Sequence, residues 1–77
     1  MTKQDFLDGK EFKTFESSQF TYKYFHNTIS CKYLNNDFSY EGSVGSITDI
    51  GFTAFTPLLG EIFTIELKFD KLITLNN

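Results

Sequence analysis

The chain has 77 residues, ten of them Phe and four Tyr, with a formal charge of −3 in which every basic residue is lysine. That length, near the lower limit for one core without a metal or disulfide, predicts a single domain over 1–77, with a homodimer as feasible as a monomer. The lone Cys31 excludes an internal disulfide and points to a reducing, cytoplasmic setting, while the absence of a basic-then-apolar leader or of roughly 20 consecutive apolar residues argues against export or a membrane span.

Thr2-Lys3-Gln4-Asp5 has the form of a capping box, predicting a short helix from about Lys3 to Asp8 with Phe6 and Leu7 buried and Gly9 ending it. Lys10 to Phe15 reads as a first strand. Phe20, Tyr22 and Tyr24 alternate with Thr21 and Lys23 in a second, His26-Asn27 turns the chain, and Ile29, Cys31 and Tyr33 alternate in a third. Asn35-Asn36-Asp37 predicts a tight hairpin. From Phe38 and Tyr40 the apolar parity holds to Val44 and reverses at Ile47 across Gly42 and Gly45, the mark of a bulged or bent strand. Asp49-Ile50-Gly51 is a turn, Phe52–Thr56 a strand, and Pro57-Leu58-Leu59-Gly60 a reversal. Ile62 to Phe69 follows as a long strand whose residues alternate from Phe63 to Asp70, and Leu72 to Leu75 closes the set. The expected class is mainly β: a short helix over about 3–8, then a highly bent antiparallel sheet of five to seven strands over about 10–75. Such a sheet is a small barrel of the SH3-like or Sm-like kind.

The chemistry-bearing residues are few. His26 and Cys31 are the only ones of their types; a turn position and an inward-packed thiol account for them better than a nucleophilic pair. One Cys and one His also fall short of a zinc set. Asp5 and Asp8 read as carboxylates favoured by the helix start, and no glycine is followed by the Lys-Ser/Thr of a phosphate loop. No enzyme, cofactor or metal is expected. Phe25 and Phe55 lie off the parity of their strands' other apolar residues. Core or second-face packing is the expectation for both, and exposure would favour a protein contact over base stacking. Between Lys32 and Lys68 there is no basic residue, while Asp37, Glu41, Asp49, Glu61 and Glu66 all lie there. These five, with Tyr33, Tyr40 and Phe55 as anchors, form the expected partner-binding set, an acidic side suited to a basic protein. Arginine, the side chain that forks onto phosphates, is absent, which disfavours nucleic acid.

The tract from Gly42 through Gly51-Phe52 to Gly60-Glu61 resembles PilZ domains, which bind cyclic dinucleotides; the arginines those domains use are not present, so that ligand is not carried over. A short helix before a small bent sheet is similar to Sm-like RNA-binding rings, without a matching pore motif. In composition, rich in Phe, Asn, Lys and Ile and lacking Arg and Trp, the chain resembles small phage and mobile-element proteins, among them anti-CRISPR and other anti-defence inhibitors. That resemblance implies a viral, non-enzymatic inhibitor that binds a basic, nucleic-acid-handling host protein. The alternative is an Sm-like or related RNA- or nucleotide-binding module using exposed aromatics with Lys10, Lys13, Lys23 and Lys32.

Overall fold

The computed structural model describes residues 1–16, 19–35, 39–58 and 60–75, with the backbone alone at Leu58. Its elements are α1 (Lys3–Leu7), β1 (Phe12–Thr14), β2 (Phe20–Phe25), β3 (Thr28–Tyr33), β4 (Ser39–Ile47), β5 (Gly51–Leu58), β6 (Glu61–Lys68), a 3-10 turn (Phe69–Lys71) and β7 (Leu72–Thr74). Every strand pair is antiparallel, in the order β6-β5-β4-β3-β2-β1-β7. The chain meanders from β1 to β6, and the 3-10 turn then carries it across so that β7 pairs with β1. The sheet is therefore a curled, barrel-like half-cylinder with β6 and β7 at its two edges.

The capping box forms as its residues predict: the Asp5 amide donates to Thr2 Oγ1 (3.0 Å) and the Thr2 amide donates to Asp5 Oδ2 (3.3 Å). A helix this short does not persist alone; what holds it is Phe6, fully buried inside the curl. The Phe6 ring lies 4.4 Å from that of Phe52, 4.6 Å from Tyr24, 5.5 Å from Phe69 and 5.9 Å from Phe12. Leu7, expected to be buried with it, is 42% exposed. Successive helical side chains diverge by about 100°, so only one of the two can face the sheet.

Around Phe6 the concave side gathers Phe12, Ile29, Phe52, Ala54, Phe69 and Leu72. Cys31 is buried on the same side, between Tyr22 and Tyr40 in register. His26 (φ 46°) and Asn27 (φ 62°) form the two-residue loop of the β2–β3 hairpin, where positive φ at both positions matches the strands' twist. The register of β4 against β5 shifts between Val44 and Ile47, the bulge implied by the parity change.

Three expectations are corrected. The first strand is shorter than Lys10–Phe15, and Phe15 is exposed. Phe69 belongs to the 3-10 turn rather than to the long strand, its amide donating to Ile50 O at 2.8 Å. Pro57 does not begin a reversal: β5 runs on through Leu58, paired with Glu61. Pro57 has no amide hydrogen, and the pairing of β5 with β4 stops at Ser43↔Phe55 while that with β6 continues. The tip of the β5–β6 hairpin consequently projects past β4. Asn36 and Asp37 of the predicted hairpin at Asn35-Asn36-Asp37, and the start of the fourth strand at Phe38, lie outside the described residues.

Candidate partner-binding face

Parity along each strand sends alternate side chains to the outer side of the curl, opposite α1. Register then aligns them across strands. One row runs Phe25↔Thr28↔Ser43↔Phe55↔Thr64, from β2 to β6. Phe25 is 67% exposed and Phe55 42% exposed, so packing in the core or on a second face, the expectation for both, does not occur. They stand three strand spacings apart, about 14 Å. Gly45 makes room for Phe55: a Cβ there would meet the ring edge at 2.7 Å. Phe25 rests against His26, ring centroids 4.0 Å apart.

An open depression of about 420 Å³ beside Phe25 is lined by Lys23, His26, Thr28, Ser30 and Glu41. The adjacent row Lys23↔Ser30↔Glu41 forms its floor, and Ser30 Oγ donates to Lys23 O at 3.2 Å. At the far edge Ile62, the most exposed large apolar side chain among the described residues, shares the outer side with Glu66. The sequence marks Ile62 as the start of a strand, and the signal for its exposure is its parity with Thr64 and Glu66, against Phe63, Ile65 and Leu67.

The expected acidic side does not form as one surface. Glu41 and Glu66 project outward from β4 and β6, where Lys23 and Lys32 share their face. Asp49 lies past the end of β4 and accepts from Lys3 Nζ at 3.1 Å, a pairing between helix and turn that sequence spacing cannot show. Glu61 opens β6 at the opposite end of the hairpin from Asp49, roughly seven residues or ~23 Å away. Asp37 lies outside the described residues. Tyr33 and Tyr40 are not co-facial with Phe55 either; both share the concave parity of Cys31, and Tyr33 meets Phe20 edge to face at 4.7 Å.

Burial pushes the Cys31 thiol above its ordinary value and Tyr22 up to about 12, and Tyr40 is raised for the same first reason. A thiol so held is protonated and a poor nucleophile. His26, in an exposed turn and against Phe25, is not brought to it. Lys10 is paired with Asp5 at 3.2 Å; Lys23 and Lys32 share the face of Phe25, and the parity of Lys13 against the buried Phe12 places it on that side as well. Among the described residues, no group of three or more His, Cys, Asp or Glu could hold a metal ion, and no helix is long and apolar enough to cross a membrane. Comparison with profiles of known protein families, with curated protein sequences and with solved structures finds no match.

Proposed function

We propose that this chain works by binding another protein through the outer face of its sheet, with Phe25 and Phe55 as the apolar anchors and Glu41 and Glu66 selecting a basic rim. The observation that carries the reading is the placement of two exposed phenylalanines in one cross-strand row, flanked by the small side chains of Thr28, Ser43 and Thr64. Isolated exposed apolar residues require no explanation, but aligned aromatics above small neighbours have the form of binding anchors. Occlusion of a basic, nucleic-acid-handling surface is the inhibitory activity such a face would perform, in keeping with the compositional resemblance to small anti-defence inhibitors. In a pull-down from the native host, the wild-type chain captures a partner that the Phe25→Ser/Phe55→Ser double variant loses, while the variant stays folded, Phe25 being mostly exposed and Phe55 nearly half so. Capture undiminished by that variant refutes the reading.

A second reading is favoured by Lys23 and Lys32, which share the outer side of β2 and β3 with Phe25. Stacking beside two cations is how single-stranded nucleic acid is held without sequence preference. Electrophoretic mobility with single-stranded RNA at low salt separates the two: a shift that Lys23→Glu abolishes supports nucleic acid, and no shift at micromolar protein leaves the protein-binding reading.

A further inference from the structure

We infer that the free edge of β6 is a self-association edge, pairing antiparallel with β6 of a second copy in the register that sets Ile65 opposite its own symmetry mate. The inference goes beyond the partner-binding reading and does not depend on it, since it uses the sheet edge rather than the row of Phe25 and Phe55.

The orientation of the backbone groups follows from one bond. Phe69 lies opposite Ile50 in the β5–β6 register and its amide donates to Ile50 O at 2.8 Å, which makes that pair a hydrogen-bonded one. Alternation then directs the N–H and C=O groups of Leu67, Ile65 and Phe63 toward β5, and those of Lys68, Glu66, Thr64 and Ile62 away from it. Among the described residues these four have no backbone partner. The devices that normally protect an edge are thin here: β6 is eight residues long, contains no proline, and carries a lysine only at its last position. Ile62 is 76% exposed and Phe63 45% exposed.

A partner strand must present its own outward-directed groups, so residues of even number pair with even. Three registers fit this rule over most of the strand. With Glu66 on the twofold axis, two carboxylates face each other directly, which is destabilising. With Thr64 on the axis, Glu61 falls opposite Leu67. With Ile65 on the axis, Phe63 meets Leu67, Ile65 meets Ile65 and Leu67 meets Phe63 on the concave side, while Thr64 meets Glu66 on the outer side. Of the two registers without that carboxylate pair, this one alone sets apolar against apolar across Phe63, Ile65 and Leu67. It also places Ile62 of each copy opposite Lys68 of the other, at an open groove of about 490 Å³ whose lining includes Phe15, Leu67 and Lys71. The exposed side chain and the cleft on the same molecule thus become reciprocal, as a twofold contact requires. Edge pairing alone is a small interface, so the dimer is a concentration-dependent one.

Sedimentation of the full chain over a concentration series tests this. The wild type is expected to pass from monomer to dimer. Thr64→Pro removes an outward-directed amide without touching the bonds to β5 and is expected to abolish the dimer. Ile62→Lys, altered only in solvent, raises the midpoint concentration at least tenfold and decides the matter should the proline variant fail to fold. Ile65→Cys, whose two copies face each other across the axis, is expected to yield a disulfide-linked dimer under mild oxidation, Cys31 being buried. A wild type monomeric throughout, a dimer indifferent to Ile62→Lys, or growth beyond the dimer, which needs β6 to meet another surface such as β7, overturns the inference.

Discussion

Phe6→Ala against Leu7→Ala is the sharpest test of how this fold is held together. The two residues are adjacent on one short helix, yet Phe6 is wholly enclosed by the rings of Phe12, Tyr24, Phe52 and Phe69, and Leu7 faces solvent. At 0.05–0.15 kcal/mol per residue, a chain of 77 has roughly 4–12 kcal/mol of stability in total. Truncating a buried Phe costs about 3–5 kcal/mol, a large fraction of that, and predicts a fall in melting temperature of roughly 12–40 °C. Leu7→Ala loses a half-exposed side chain and gains helix propensity, so its cost is about 1 kcal/mol or less. Far-UV circular dichroism melts with urea titrations, run dilute enough to hold the chain monomeric, measure both. Equal losses, or a Phe6→Ala loss below about 1 kcal/mol, would show that α1 is not the plug of the concave side.

Gly42→Ala should destabilise by about 1–3 kcal/mol in urea, because a Cβ at that position lies 2.6 Å from the carbonyl oxygen of Phe55, which the sheet holds in place. The Asp5 carboxyl is held below its ordinary value of 3.8, first by the hydrogen bond from Lys10 and next by the Thr2 amide. Its contribution is present above that unfolded value and is lost as pH falls through the lower folded one, so Asp5→Asn should flatten the acid limb of stability below about pH 4. Tyr22 runs the other way: raised from 10.0 to about 12 by burial, it favours the fold fully below pH 10 and ceases to do so as pH rises through 12. Absorbance titration at alkaline pH should therefore show tyrosines ionising late in the wild type, a phase that Tyr22→Phe reduces and that Tyr40, raised as well, keeps from vanishing. Cys31, buried and with its thiol raised, should resist a thiol reagent in the native protein and react promptly in urea.

Elements whose evidence is local were legible in the sequence. The capping box at Thr2–Asp5 needs only three residues' spacing, the His26-Asn27 loop only its neighbours' parity, and the bulge only the displacement of Ile47 from the parity of Val44. The barrel-like class followed from the number and spacing of such strands. What parity does not reveal is which side of a strand becomes the inside, because that depends on which strands end up adjacent. Tyr33 and Tyr40 could thus be read as anchors alongside Phe55 until register put them on opposite faces. Glu61 and Asp49, both acidic and both between Lys32 and Lys68, are separated by the length of a hairpin that Pro57 lets run past β4. The pairing of Asp49 with Lys3 spans 46 residues and has no sequence signal at all.

The exposure of Phe25 taken alone would be weak grounds for a binding face. The two-residue loop fixes the β2–β3 register, and with Tyr22 and Tyr24 committed inward, residue 25 must point outward whatever its identity; a slip of one residue would expose both tyrosines. Its being phenylalanine is the informative part, and Phe55 makes the same choice independently. Position 55 is set outward by Ala54 and Thr56 facing the core, on a strand three places away. At both positions a threonine would satisfy the strand, as it does at 28 and 64 in the same row, and would spare the chain an apolar side chain in water. Two strands each carrying the costlier residue in one row, with only small hydroxyl side chains between them, place the requirement on the face rather than on either strand, as the proposed partner contact would.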